Sequence, residues 1–309
     1  MSKKSRPLVW LEYGAVRGLL GFLGLLPRRS AVAAASVAAG AGYYLLGGLR
    51  RVAFTNLTIA FPELDDAERR KLAKGAFRNL GRIIGEMSQF AKASREDVNR
   101  LIEFRIDPEV YSAYKRMQSE GRGVIIVSPH LGNWEVLVFG WAVYDAPMSY
   151  LARPLDNPMI ERLTHRLRTK FGNRPIGKSN SVMKASRVLR EEGLLGILAD
   201  VNAHPKEGVF VPFFGKDACT SNGVALLALR TNSMILPMCA AWDEREGRYI
   251  GIHGPLMAPV ATGDRKEDVR QTTAAFTAEV EKLVRRFPDQ WLWIHKRWKT
   301  RPPGEPSVY

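Results

Sequence analysis

Between residues 123 and 253, short apolar, β-branched runs alternate with segments whose apolar positions recur every three to four residues. The runs at 123–128 (GVIIVS), 148–152, 194–199, 235–242 and 248–253 have the length and composition of buried strands. Segments 134–144, 157–171, 181–192, 222–231 and 266–287 read as helices; in 157–171, Met159, Leu163, Leu167 and Phe171 fall on one face. Strands alternating with helices predict an α/β fold, with a mixed, mainly parallel sheet flanked by helices. Residues 51–93 read as helices interrupted at Phe61-Pro62-Glu63. There Asp65 and Asp66 precede Arg69, Arg70, Lys71 and Lys74, an order that suits the helix dipole. No repeat and no Pro/Ser-rich linker divides the chain. The expected organisation is an N-terminal helical, membrane-associated segment over 1–50 and one domain over 51–309. Within that domain, 51–105 is a helical lead-in and 106–309 the α/β part.

The N-terminal segment has its own pattern. Residues 8–27 are apolar apart from Glu12 and Arg17, and 30–49 carry no charge between Arg28-Arg29 and Arg50-Arg51. At about 1.5 Å per residue the second run just matches a hydrocarbon core of about 30 Å, although its Ala and Gly content makes insertion weak. Three readings stay open: a signal peptide, with Lys3, Lys4 and Arg6 as its basic start and a cleavage site near 33–35; a buried helix pair; or a membrane anchor or in-plane helix. The third is preferred, because cations at both ends can grip anionic headgroups. The same cations leave its topology undecided.

Composition sharpens this picture. A formal net charge of +15 calls for an anionic partner. The cations are spread through helices with no nucleic-acid reading motif, which points away from nucleic acid and toward membrane lipids. Cys219 and Cys239 stand alone, and His165, His204, His253 and His295 form no pair at metal-ligand spacing. No metal is expected.

The candidate chemistry lies in SPHLGNWE, residues 128–135, directly after a strand. On a regular helix His130 and Glu135 would point about 140° apart, so a shared site requires a bend. Pro129 and Gly132 supply one, and Asn133 as N-cap leaves Glu135 in the first helical turn. The expectation is that Glu135 fixes the imidazole's tautomer while His130 removes a hydroxyl proton. There is no GxSxG elbow, and none is needed if the substrate hydroxyl itself attacks an acyl thioester. A loop histidine bonded to solvent or backbone is the plainer alternative.

This segment resembles the HX4D/E motif of the glycerolipid and lipid A acyltransferases, in the form found in the Kdo2-lipid IVA late acyltransferases. The blocks at 50–73, 151–158 (LARPLDNP), 198–223 and 289–302 (DQWLWIHKRWKTRP) are similar to that family's blocks, in its order. The resemblance implies an enzyme at the cytoplasmic face of a bacterial inner membrane. It would move a fatty acyl group from acyl carrier protein or coenzyme A to a hydroxyl of a lipid A precursor, without a cofactor. It also implies His130 and Glu135 as the catalytic pair and a functional arginine at Arg153, to bind phosphate or polarise the thioester carbonyl. Asp200, at the end of a strand, is a candidate for a ligand crevice or for capping a loop. Asn133 and Lys178 are further candidates for substrate contact. Where the family often shows Gln after that aspartate, this chain has Val201-Asn202, so no role is carried over to those positions. GVFVPFFG at 208–215 is read as acyl-groove lining, membrane rim or a buried hairpin. Trp291, Trp293 and Trp298, with Lys296, Arg297 and Lys299, suit either a headgroup interface or the core.

Other functions compete. Residues 172–179, GNRPIGKS, formally match a P-loop, but a helix-periodic basic segment precedes them and Pro175 removes an amide that a phosphate cradle needs. Another glycolipid acceptor, such as a phosphatidylinositol mannoside, would use the same catalytic residues. A non-enzymatic basic membrane binder would not need His130 at all.

Overall fold

The computed structural model describes residues 5–177, 180–191 and 193–309. Four helices come first: α1 (Arg6–Leu25), α2 (Arg28–Leu45), α3 (Gly47–Ala60) and α4 (Asp66–Gln89). The break expected at 61–63 separates α3 from α4, which starts in a capping box: Asp65 accepts from the Ala67 and Glu68 amides, and Glu68 accepts from the Asp65 amide. Helix α5 (Arg95–Leu101), β1 (Ile102–Phe104) and α6 (Pro108–Ser119) follow. The α/β alternation then runs β2 (Val124–Ser128), α7 (Trp134–Tyr144), β3 (Ser149–Leu151), α8 (Pro158–Arg168), β4 (Arg174–Ile176), α9 (Ser181–Glu191) and β5 (Leu194–Leu198). The chain ends with β6 (Gly208–Phe213), β7 (Lys216–Ser221), α10 (Gly223–Thr231), β8 (Met234–Asp243), β9 (Arg248–His253) and α11 (Arg265–Arg286).

Seven strands form one sheet in the order β1-β9-β8-β2-β5-β3-β4, parallel throughout except for the β8–β9 hairpin. The expected mainly parallel α/β sheet is present. Central β2 is buried at every residue, as a strand covered on both faces must be. One core cluster gathers α3, α4, α9, α10 and α11, a second gathers α5, α6 and α7, and a small third joins Leu23 of α1 to Ala31 and Ala35 of α2. β6 and β7 form a separate hairpin packed on α11, with Val211, Phe213 and Phe214 buried. Of the readings for 208–215, the buried hairpin holds. Trp291, Trp293 and Trp298 are likewise at most 2% exposed, and Phe213 packs against Trp291 and Trp298. That aromatic end is core, not a headgroup interface.

The boundary expected after residue 50 falls inside α3. The uncharged run at 30–49 does not form one straight rod, because α2 and α3 meet at 88°. One face of α2 lies tightly on α4: a Cβ at Gly81 would collide with the Ala35 carbonyl, and one at Gly85 would come within 2.6 Å of the Val32 Cα. Arg28 adds a bidentate pair to Glu86, at 2.8 and 2.6 Å, with Glu86 only 1% exposed. Burial pushes the Glu86 carboxyl above its ordinary pKa despite this partner. By length and apolarity α1 is the single unbroken helix that could cross a membrane among the described residues.

Candidate active site

Strands β2 and β5 are parallel neighbours with Ser128 opposite Leu198. Two residues beyond each of those positions come His130 and Asp200, so the register places them together. The turn from β2 into α7 is fixed at Gly132, whose φ of +58° is a left-handed value open to glycine; a Cβ there would strike the Ala240 carbonyl oxygen. The Asn133 amide donates to that same oxygen at 2.8 Å, so the loop is stitched to β8. Asn79 in α4 adds a bond to the Gly132 carbonyl at 2.7 Å.

His130 and Asp200 make two contacts. Nδ1 lies 2.7 Å from Oδ1, and the His130 amide donates to Oδ2 at 2.7 Å. Oδ2 also accepts from the Trp291 indole nitrogen at 2.7 Å. Asp200 is therefore enclosed and fully used, which fixes the neutral tautomer with its proton on Nδ1. Burial alone would raise the Asp200 pKa, but the imidazole's charge and these donated bonds hold it below the ordinary carboxylate value. For His130, burial pulls downward and is outweighed by the Asp200 charge and hydrogen bond, then by Glu135, so its pKa is raised. The side chain keeps 19% exposure, and no described residue bonds Nε2.

Glu135 occupies the first turn of α7, as expected, but does not hydrogen-bond His130. Both its oxygens are taken by Arg168 at the end of α8, Nε to Oε2 at 2.9 Å and a second, shorter bond from Nη2 to Oε1. The orienting partner expected at Glu135 is thus found at Asp200, and Asp200 reaches His130 instead of facing a ligand crevice. Asn133 is the N-cap of α7, its oxygen accepting from the Val136 amide and its amide donating to the Tyr249 hydroxyl. It is fully buried, which removes it from substrate contact. Lys178 lies outside the described residues.

His130 and Glu135 open on one cavity of about 400 Å³. Leu137, Val138, Met148, Leu151, Ile197 and Leu198 give it apolar walls, with Arg168 in the wall and Arg153 among its lining residues. Arg153 is 70% exposed and lies 3.5 Å from Asp156. Trp134 packs edge-on against the imidazole, with ring centroids 4.9 Å apart. An apolar slot beside a histidine with one nitrogen locked and the other open is suited to accepting a proton next to an aliphatic chain. Among the described residues no group of three or more His, Cys, Asp or Glu is placed to hold a metal ion.

Two contributors escaped the sequence reading. Arg168 sits in a run of surface-type cations, and only the fold sets it against Glu135. Trp291 was seen as an aromatic in a basic block, while its bond to Asp200 depends on the bridge between Leu131 and Trp291.

The sequence is similar to known proteins over most of its length. The family model described as bacterial lipid A biosynthesis acyltransferase matches residues 1–300. The lipid A biosynthesis palmitoleoyltransferase of Escherichia coli (strain K12) is 30% identical over 263 residues, 84% of this chain and 81% of that protein. The lauroyltransferase and myristoyltransferase of lipid A biosynthesis from the same organism are each 26% identical, over 84% of this chain and 82% and 78% of their own lengths. With the family model covering the chain from its first residue through the Trp291 segment, this protein belongs to the bacterial lipid A biosynthesis acyltransferases.

Proposed function

We propose that this acyltransferase moves a fatty acyl group from an acyl carrier protein or coenzyme A thioester to a hydroxyl of a lipid A precursor, at the cytoplasmic face of the inner membrane. His130 is the general base and Asp200 its positioning residue. In the reaction Nε2 takes the proton as the acceptor hydroxyl oxygen attacks the thioester carbonyl carbon. The tetrahedral adduct then collapses, the C–S bond breaks, and the imidazolium returns the proton to the departing thiolate. In the neutral ring Asp200 holds the proton on Nδ1, which leaves Nε2 as the acceptor, and it steadies the imidazolium between steps. Glu135 adds a second negative charge to the imidazole's surroundings and holds Arg168 in the pocket wall. Arg153 meets a substrate phosphate.

The observation that carries this reading is the His130–Asp200 pair, with His130 lining an apolar pocket. Its test compares the acylation state of the lipid fraction, by mass spectrometry, in cells with active protein and with the His130→Ala variant, alongside rates on purified acceptor. Turnover is expected to fall by about two to four orders of magnitude. Wild-type rates from His130→Ala would remove the mechanism.

A further inference from the structure

The outer face of α1 is apolar and uncovered: Leu8, Trp10, Leu11, Leu19, Phe22 and Leu25 are 43% to 85% exposed. Its inner face is a stripe at helical spacing, Val9, Glu12, Val16, Leu20 and Leu23, turned to the body of the protein. That stripe is fastened near both ends. Asn157, buried at the start of α8, donates to the Val9 carbonyl at 2.8 Å and to Glu12 Oε2 at 3.0 Å. About 22 Å further along the axis, Gln89 donates to the Leu23 carbonyl at 3.0 Å and Lys92 to the Gly24 carbonyl at 2.7 Å.

A membrane span cannot keep these bonds unless α8 and the end of α4 enter the hydrocarbon with it. They would carry Lys92 and exposed cations such as Arg162 into a medium that charged groups avoid. Arg17, exposed at mid-helix, would sit near the bilayer centre in a span; in the plane of the surface it reaches the headgroups. Leu155, in the wall of the His130 pocket and 40% exposed, stands two residues before Asn157, so the pocket rim and α1 adjoin. Exposed cations accompany this surface: Arg6 and Arg17 on α1, Arg29 at the start of α2 and Arg153 at the rim.

We propose that α1 lies in the plane of an anionic phospholipid surface and does not cross the bilayer, and that the acyl pocket opens at that same surface. The occupant of the apolar face is the bilayer, because its flanking cations complement anionic headgroups and the acceptor is a lipid. This rests on the function proposed above. It accounts for how a lipid acceptor reaches His130 without leaving the membrane.

The test uses the full chain on vesicles of phosphatidylglycerol and phosphatidylethanolamine. Both native thiols, Cys219 and Cys239, are buried, so single reporters can be placed by Ser5→Cys, Leu11→Cys, Leu19→Cys and Leu25→Cys. Quenching by lipids carrying nitroxides at graded depths is expected to place positions 11, 19 and 25 equally shallow, roughly 5–10 Å into the boundary. An impermeant thiol reagent added outside the vesicles should label position 5 readily and position 25 slowly, both from the same side. A depth maximum at mid-helix, or labelling of the two ends from opposite sides, overturns the proposal. So does failure to bind vesicles together with dimerisation in solution, which would give the face to a second copy. The triple variant Leu11→Ser/Leu19→Ser/Phe22→Ser should lower vesicle partitioning at least about tenfold. It should slow transfer to a vesicle-embedded acceptor while leaving transfer in detergent micelles unchanged; equal loss in both media overturns the proposal. Shallow depth with no acyl transfer in either medium would leave the helix placement standing and sink the proposed chemistry instead.

Discussion

Replacing Asp200 by Asn changes almost no volume and tests the tautomer directly. Oδ2 accepts two donors, the His130 amide and the Trp291 indole, while Oδ1 meets Nδ1. In Asp200→Asn the amide oxygen must stay with the two donors, which turns the amide NH2 toward Nδ1. The imidazole must then accept at Nδ1 and carry its proton on Nε2, the atom that should receive the acceptor's proton. In a Ser-His-Asp triad the same carboxylate-to-amide exchange costs about 10⁴ in kcat. Here the expectation is a loss of about 10³ to 10⁴ in turnover, with KM for the acceptor little changed, since Asp200 touches no substrate. Stability should suffer less than in Asp200→Ala, which leaves two buried donors unpaired at about 1–3 kcal/mol each. Steady-state transfer rates on purified acceptor, with thermal melts of both variants, make the comparison. Turnover within about tenfold of wild type in a folded Asp200→Asn protein would show that Asp200 does not set the tautomer.

The pH profile should carry the same signature. Because the imidazole's pKa is raised, the base is lost to protonation on an acid limb above the ordinary histidine value of about 6.5, and Asp200→Asn should move that limb downward; an unmoved limb would assign it to another group. Arg168→Ala strands the buried Glu135 carboxylate and should cost about 3–5 kcal/mol, much of it recovered in Arg168→Ala/Glu135→Gln; equal melts for the single and double variants would count against the pair. Gly132→Ala forces a left-handed turn on alanine and a collision with β8, and should destabilise by at least about 2 kcal/mol and abolish transfer. A stable, active Gly132→Ala enzyme would mean that the turn is adaptable.

Much of this arrangement was legible in the chain. The long strands appear where apolar, β-branched runs stood, because burial on both faces leaves that mark on the sequence. Edge strands β1 and β4, three residues each, are too short to carry any periodicity. His130 was visible because Pro129 and Gly132 bend the chain at a strand end. Its true partner was not, since pairing residue 130 with residue 200 depends on β5 lying beside β2, a fact of sheet order that local pattern does not encode. Glu135 was placed correctly on the first turn of α7, but sequence spacing could not tell an imidazole from a guanidinium brought in by α8. The uncharged stretch at 30–49 is divided between α2 and α3, which meet at 88°, a break that a run of small apolar residues does not announce.

That close fit between α2 and α4 decides where the chain can be cut. Shortening the protein to residue 49 to obtain a soluble enzyme would take away the Arg28 guanidinium and uncover a trench along α4 lined by Gly81 and Gly85, which present backbone but no side chain. Water would fill that furrow and the glycines would lose the neighbour that holds them helical, so such a fragment should precipitate. Trimming only to residue 26 removes α1 but keeps α2 in its trench and the Arg28–Glu86 pair, so that shorter chain should stay folded where the longer cut does not.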